Sequence, residues 1–304
     1  MGRHCSQESS TLKTAITIGN FDGVHRGHVF LLEHLKKIAQ ALNLKPIVLS
    51  FYGHPKVFKE EPPIQYLLTT PDERKKLIQS IGIRCVEFIK LNKKTMEMSP
   101  CEFIKEVLIK RYNIKMLFMG FNHHFGKNRK GTPSYVSSLV SKYNFSLMVM
   151  PPYIIDGQVV SSTMIRELLR EGKVEEAKKL LGRDYKICGK IEGGKKIAGS
   201  VLGIKTANVM VSPLKLIPKP GTYAVWVDLD DNIYRGALYI GNNPTLKKEF
   251  SVEVHIIDFN KDIYGKTVCV RFVKRLRDDM AFKSIEALKK AILKDIEDAR
   301  NTVI

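Results

Sequence analysis

Apolar and polar positions follow two different grammars along this chain, and the change falls near Gly182. In the first, short apolar runs alternate with stretches of helical period. Residues 14–18, TAITI, read as a buried strand that stops at Gly19-Asn20. Val29, Leu32, Leu35, Ile38, Ala39 and Leu42 then share one face of a 3.6-residue period, which predicts an amphipathic helix. A strand is expected at 46–51. Thr70-Pro71-Asp72-Glu73 is a capping box with proline in the first turn, so a helix starts there. A strand at 85–89 follows. The same grammar in Ser99-Pro100-Cys101-Glu102 opens a helix through Tyr112, and a strand at 115–119, a helix at about 134–143 and a strand at 145–150 complete the series. Such alternation predicts a parallel sheet with helices on both faces. Ligands of these sheets lie beyond the carboxyl ends of the strands, where the turns 19–28, 51–55 and 120–131 fall. Two helices, from Ser161-Ser162-Thr163 and at 174–181, close this half.

Beyond Gly182 strands dominate, at 185–191, 222–227, 234–240, 250–258 and 267–274, separated by turn signals such as Pro220-Gly221 and Asp230-Asp231-Asn232. Consecutive strands without helices predict an antiparallel barrel or sandwich. A last helix is capped by Ser284 and carries Ile285, Leu288, Ile292 and Ile296 on its apolar face. The expected domains are 14–183 and 184–304.

Composition changes this picture little. A chain of 304 residues suits two domains, and 44% hydrophobic content is ordinary for a globular protein. No apolar run is long enough to span a membrane, and the first residues have no apolar core of a secretory signal. The five cysteines, at 5, 85, 101, 188 and 269, show no Cys-x-x-Cys spacing and are odd in number. They point to a cytoplasmic protein with buried thiols and no disulfide framework. The formal charge of +19 raises nucleic acid as a partner, but the lysines are dispersed over helices and no zinc-finger or RNA-binding aromatic signature is present. The one local cluster, Lys127-Asn128-Arg129-Lys130, suits phosphate-bearing small ligands.

The chemistry-bearing stretch is Gly19 to His28, GNFDGVHRGH. It turns a strand into a helix, so backbone N–H groups and the positive end of the helix dipole point at one spot. Gly23 and Gly27 permit close backbone approach. His25 and His28, three apart, converge as the helix begins. That is a way to hold a polyphosphate and offer it proton donors. Ser162 and Thr163, with Arg166 one turn in, read as a second phosphate-binding helix start.

His25-Arg26-Gly27-His28 resembles the His-x-Gly-His motif of the nucleotidyltransferases. Taken with His54-Pro55, Gly120 to Gly126, SSTMIR, Thr206-Ala207-Asn208, Gly221 to Val225, Ile240 to Thr245 and Val252-Glu253-Val254-His255, the chain resembles the prokaryotic bifunctional riboflavin kinase/FAD synthetase family over nearly its whole length. The resemblance implies an α/β Rossmann-like nucleotidyltransferase domain with a parallel sheet, then a mostly antiparallel β-barrel riboflavin kinase domain with a C-terminal helix. It implies ATP, Mg²⁺, riboflavin, FMN and FAD as ligands, and a cytoplasmic enzyme without a membrane or nucleic-acid partner. In the first domain Gly19, Asn20, Phe21, Asp22, Gly23, His25, Gly27, His28, Ser162, Thr163 and Arg166 would bind ATP, and His54, Pro55 and Asn122 would bind FMN. In the second, Gly199, Thr206 and Asn208 would bind ATP, the last two also Mg²⁺. Glu253 would be the general base at the flavin, with Arg277 beside it.

The chain departs from the family pattern at four places. His123 replaces a phenylalanine, Val159 an arginine, Ser200 an arginine and Lys205 a proline. Each half keeps its central chemistry and loses a supporting cation, ring or rigid turn. Two alternatives stay open at this point: a protein with riboflavin kinase activity alone, or a flavin- or nucleic-acid-binding regulator on an impaired scaffold.

Overall fold

The computed structural model describes residues 12–52, 65–90, 92–192, 203–242 and 250–303. By backbone contacts the chain divides into Met1–Ser162 and Thr163–Ile304. The helices expected from Ser161-Ser162-Thr163 and at 174–181 therefore go with the second unit from Thr163 onward.

The first unit is built on five parallel strands, β1 (Thr14–Ile18), β2 (Lys45–Tyr52), β3 (Cys85–Lys90), β4 (Ile114–Gly120) and β5 (Ser146–Met150), in the order β3-β2-β1-β4-β5. Period-two alternation serves both faces of this sheet. Ile16, Ile18, Ile47, Leu49, Leu117 and Met119 enter one core cluster with Phe103, Ile104 and Leu108. Ala15, Val48 and Phe118 enter the other with Leu31, Leu32, Leu35 and Ala39 of helix α1 (Arg26–Ala41). Helix α2 (Pro71–Ser80) begins with the capping box expected of Thr70 and Glu73. Ser99 and Glu102 form the second box, but the helix they open becomes π-helical over Phe103–Ile109. The helix expected at about 134–143 is two pieces, Pro133–Ser137 and Val140–Tyr143.

The second unit opens with α3 (Ser162–Glu171) and α4 (Val174–Leu181). Gly182, at φ 75°, takes the left-handed C-cap that a residue without Cβ tolerates best. The strands then close into a barrel. To name them in chain order, a two-stranded hairpin in the first unit supplies β6 (Ile154–Ile155) and β7 (Gln158–Val159), and the barrel holds β8 (Lys186–Glu192), β9 (Ala207–Val211), β10 (Gly221–Leu229), β11 (Asn232–Gly241), β12 (Ser251–Ile256) and β13 (Thr267–Asp278). The barrel order is β10-β11-β12-β9-β8-β13. Tyr223, Val225, Leu238, Val254, Val270 and Phe272 are fully or almost fully buried. Outside, helix α5 (Ile285–Thr302) packs Ala299 with Ala224, Ala237 and Ile257. Strand β9 has no periodic signal; pairing with β8 and β12 makes it extended.

One expectation is overturned. Cys188 and Cys269 form a disulfide, although their spacing suggested buried thiols. The reason is register. The two are direct partners across the β8–β13 pair, a proximity that a sequence separation of 81 conceals. Cys85 and Cys101 are free thiols.

Candidate active sites

In the first unit the turn after β1 is held from beneath. Phe21 and Val24 adopt positive φ of 47° and 39° around Gly23 at 84°. For β-branched Val24 this is a strained backbone, persisting because its surroundings over-determine it. Asp22 supplies much of that restraint. Its buried carboxylate accepts from the Leu68 N–H at 3.1 Å, the Thr69 N–H at 2.9 Å and the Thr69 hydroxyl at 3.1 Å. Arg74, also buried, lies 3.7 Å away and donates to Ser50 Oγ, Phe51 O and Thr69 O. Ser50 Oγ in turn donates to Asn20 O, and the Gly23 N–H to Thr69 Oγ1. The Asp22 side chain, expected to bind ATP, therefore points into the protein and shapes the turn. Thr69, Arg74 and Ser50 were not foreseen, because nothing in their local sequence indicates a partner more than twenty residues away.

The turn delivers two stacked histidines. His25 is the N-cap of α1; its Nδ1 accepts the His28 N–H at 3.3 Å. The neutral ring therefore carries its proton on Nε2. The rings stack at 3.6 Å with 18° between planes, and Phe21 meets His28 edge-on at 5.1 Å. Gly27 leaves room for this stack, since a Cβ there would lie 3.2 Å from the His25 ring and 3.4 Å from Tyr153 Cβ and would press the ring to shift by a few tenths of an ångström. Ser162 joins from below, its Oγ donating to Asp22 O at 2.7 Å. Thr163 and Arg166 belong to the second unit, where Arg166 is buried. His54 and Pro55 lie outside the described residues.

The loop 120–131 follows β4. Asn122 is exposed and Phe125 is packed on Phe103. His123 Nδ1 is sealed from solvent with no hydrogen-bond partner among the described residues. Burial, then the neighbouring His124, pushes this imidazole down to about 4, so it is neutral at pH 7. Val159, in β7, is exposed.

The barrel unit carries a cavity of about 630 Å³, counting its open mouth, between the outer face of the barrel and α5. Strand register sets the chemistry in a row. Arg277 pairs with Thr222, Thr222 with Tyr239, Tyr239 with Glu253 and Glu253 with Asn208, across β13, β10, β11, β12 and β9. Glu253 is 8% exposed and fixed at both oxygens: Ser251 Oγ donates to Oε1 at 2.9 Å and Thr206 Oγ1 to Oε2 at 3.1 Å. Arg277 is clamped rather than offered outward. Its Nε and Nη2 donate to Asp295 at 2.9 and 2.7 Å, and the guanidinium lies 5.4 Å over Phe282. Leu288, Ile292 and Ile296 make the apolar wall from α5. Asp295 was missed, yet its place seven residues after Leu288, on the apolar face, marks a buried carboxylate that needs a cation. Gly199 and Ser200 lie outside the described residues.

No cluster of three or more acidic, His or Cys side chains among the described residues forms a metal cage. The Thr206 and Asn208 oxygens are nevertheless hard donors next to a carboxylate. They fit a Mg²⁺ that brings its remaining ligands on a nucleotide.

Two family models match the chain, one over each half. The family model described as FAD synthetase matches residues 7–164, and the one described as riboflavin kinase matches 181–303. A bifunctional riboflavin kinase/FMN adenylyltransferase of Buchnera aphidicola subsp. Schizaphis graminum is 37% identical over 290 residues, 93% of this chain and 92% of the relative. Those of Bacillus subtilis and Escherichia coli K12 are 32% and 30% identical, over 94% and 98% of this chain and 92% and 96% of theirs. The chain belongs to the bifunctional riboflavin kinase/FMN adenylyltransferase family. A solved structure described as a macrolide-efflux protein from Streptococcus pneumoniae superposes with TM-score 0.85 at 30% identity, covering 97% of each chain. No helix among the described residues is long and apolar enough to cross a membrane. In family terms, the parallel sheet lies within the residues matched by the FAD synthetase model and the barrel within those matched by the riboflavin kinase model.

Proposed function

We infer that this chain makes FMN from riboflavin in its barrel and FAD from FMN at its His-x-Gly-His turn, using one ATP in each step. The observation that carries the reading is Glu253: a buried carboxylate, oriented at both oxygens, in the wall of an apolar cavity. The riboflavin 5′-hydroxyl gives its proton to Glu253 as its oxygen attacks the γ-phosphorus of ATP, and ADP leaves. Ser251 and Thr206 keep the carboxylate aimed. Mg²⁺, when bound at the Thr206 and Asn208 oxygens, supplies charge neutralisation at the nucleotide phosphates. In the FAD synthetase site the nucleophile is already an FMN phosphate oxygen, so no strong base is needed. It attacks the α-phosphorus of the second ATP and pyrophosphate leaves. His25 Nε2–H and the backbone N–H groups of the turn are placed to stabilise the charge that develops there.

The test uses the full chain. Riboflavin with ATP and Mg²⁺ should yield FMN and then FAD, and FMN with ATP should yield FAD. Glu253→Gln should lower FMN formation by about a hundredfold or more, the range of general-base loss, while FAD formation from supplied FMN persists. FMN accumulating without FAD in the wild type would instead establish a kinase alone, with Val159 and His123 the departures to revert first.

A further inference from the structure

We propose that Thr222 is a flavin-binding residue of the kinase site, its hydroxyl hydrogen-bonding a polar atom of the flavin at the junction of ring and ribityl chain. This rests on the reading of the barrel cavity as the riboflavin site. Thr222 is 3% exposed and lines that cavity. Its Oγ1 is buried with no hydrogen-bond partner among the described residues. A buried hydroxyl without a partner is costly, and native proteins keep few of them. The neighbouring groups of the cavity are engaged: Tyr239 donates to Asp279 at 2.9 Å, His255 meets Lys205 O at 2.8 Å, and Arg277 is held by Asp295. Among the described residues lining the cavity, Thr222 is the one with a buried side-chain polar atom that has no partner.

Its position fits a ligand held at Glu253. Thr222 and Glu253 are separated by one strand and share a register row, so about 10 Å lies between them at the usual strand spacing. From the 5′-oxygen of riboflavin, six single bonds of about 1.5 Å each carry the extended chain about 7–8 Å to the ring. With the 5′-hydroxyl at Glu253, the inner ribityl hydroxyl and the near polar edge of the ring come within reach of Thr222. The apolar wall of α5 then faces the ring, and the hydroxyl reads its polar border.

The test compares Thr222→Val and Thr222→Ser in the full chain. Valine keeps the shape and removes the hydroxyl; serine keeps the hydroxyl. The riboflavin KM of FMN formation should rise about three- to tenfold in T222V, the worth of one net hydrogen bond, and return towards wild type in T222S. The ligand-free protein should melt no lower, and by about 1–3 °C higher, in T222V, because an unpaired buried hydroxyl has been removed. A merely structural threonine would lower melting and leave KM unmoved. Lumichrome, which has the ring without the ribityl chain, separates the two contacts as a competitive inhibitor. An inhibition constant that weakens in T222V places the bond on the ring; one that does not, with a raised riboflavin KM, places it on the ribityl hydroxyl. An unchanged riboflavin KM in T222V overturns the proposal. Ile292→Trp, which fills the cavity from α5, distinguishes the causes: if it raises KM while T222V does not, only the role of Thr222 fails. If neither moves KM, the cavity is not the riboflavin site.

Discussion

Replacing Asp22 by alanine should unfasten the nucleotide turn while sparing the barrel. The Asp22 side chain is 2% exposed, so solvent cannot replace what it does. Its loss strands the Leu68 and Thr69 N–H groups, bound now at 3.1 and 2.9 Å. Each stranded donor costs about 1–2 kcal/mol. It also removes a carboxylate 3.7 Å from the buried Arg74, and breaking a buried charge pair costs about 3–5 kcal/mol. These contributions overlap, because Arg74 keeps its bonds to Ser50, Phe51 and Thr69. A net loss of about 3–5 kcal/mol is expected for the parallel-sheet unit. What remains folded should hold His25 and His28 loosely, and misplacement by about 1 Å costs about a hundredfold in rate. The assay has two arms: urea unfolding followed by circular dichroism, and separate rates of FMN and FAD formation. The expected pattern is an earlier transition, FAD formation down at least tenfold, and FMN formation within twofold of wild type. If D22A loses less than about 1 kcal/mol and makes FAD at the normal rate, Asp22 is not the anchor argued for.

Gly27→Ala should cut FAD formation by a few-fold to about tenfold with FMN formation unchanged, since the new Cβ meets the His25 ring at 3.2 Å and presses on a group that must be positioned; an unaltered rate would show that the ring absorbs the shift and that Gly27 is not needed for its position. His123 should make the protein acid-sensitive. The unfolded imidazole takes a proton as pH falls through about 6.5 while the native one, held at about 4, does not, so stability is lost in that window by about 1–2 kcal/mol at pH 5. Urea unfolding of wild type and His123→Phe at pH 7 and 5 checks this, the variant losing less between the two. Alkylation of unreduced, denatured protein should label Cys85 and Cys101 but neither Cys188 nor Cys269, read by peptide mass; labelling of the last two would disprove the pairing.

Local patterns carried much of this protein. A helix-period stripe from Val29, two capping boxes and the left-handed stop at Gly182 are decided within a few residues, by steric limits and by N–H groups that need acceptors, and each stands where the sequence places it. His25 and His28 could be placed on a strand-to-helix turn from local pattern alone, whereas Glu253 was singled out only through the family resemblance. Whatever depends on register was not legible. The row from Arg277 through Thr222 and Tyr239 to Glu253 exists only once β10 to β13 are paired, and the same pairing joins Cys188 to Cys269. The resemblance put Asp22 among the ATP-binding residues of the turn, but only the fold shows that its side chain is held by Leu68, Thr69 and Arg74 from another part of the chain. Arg277, expected beside the flavin, donates to Asp295 of the last helix, a partner the sequence did not indicate. A side chain's type is set by sequence, but its partner is chosen by burial. Once water is excluded, each charge and hydroxyl must find its complement across the fold, and only the tertiary structure says which one is there.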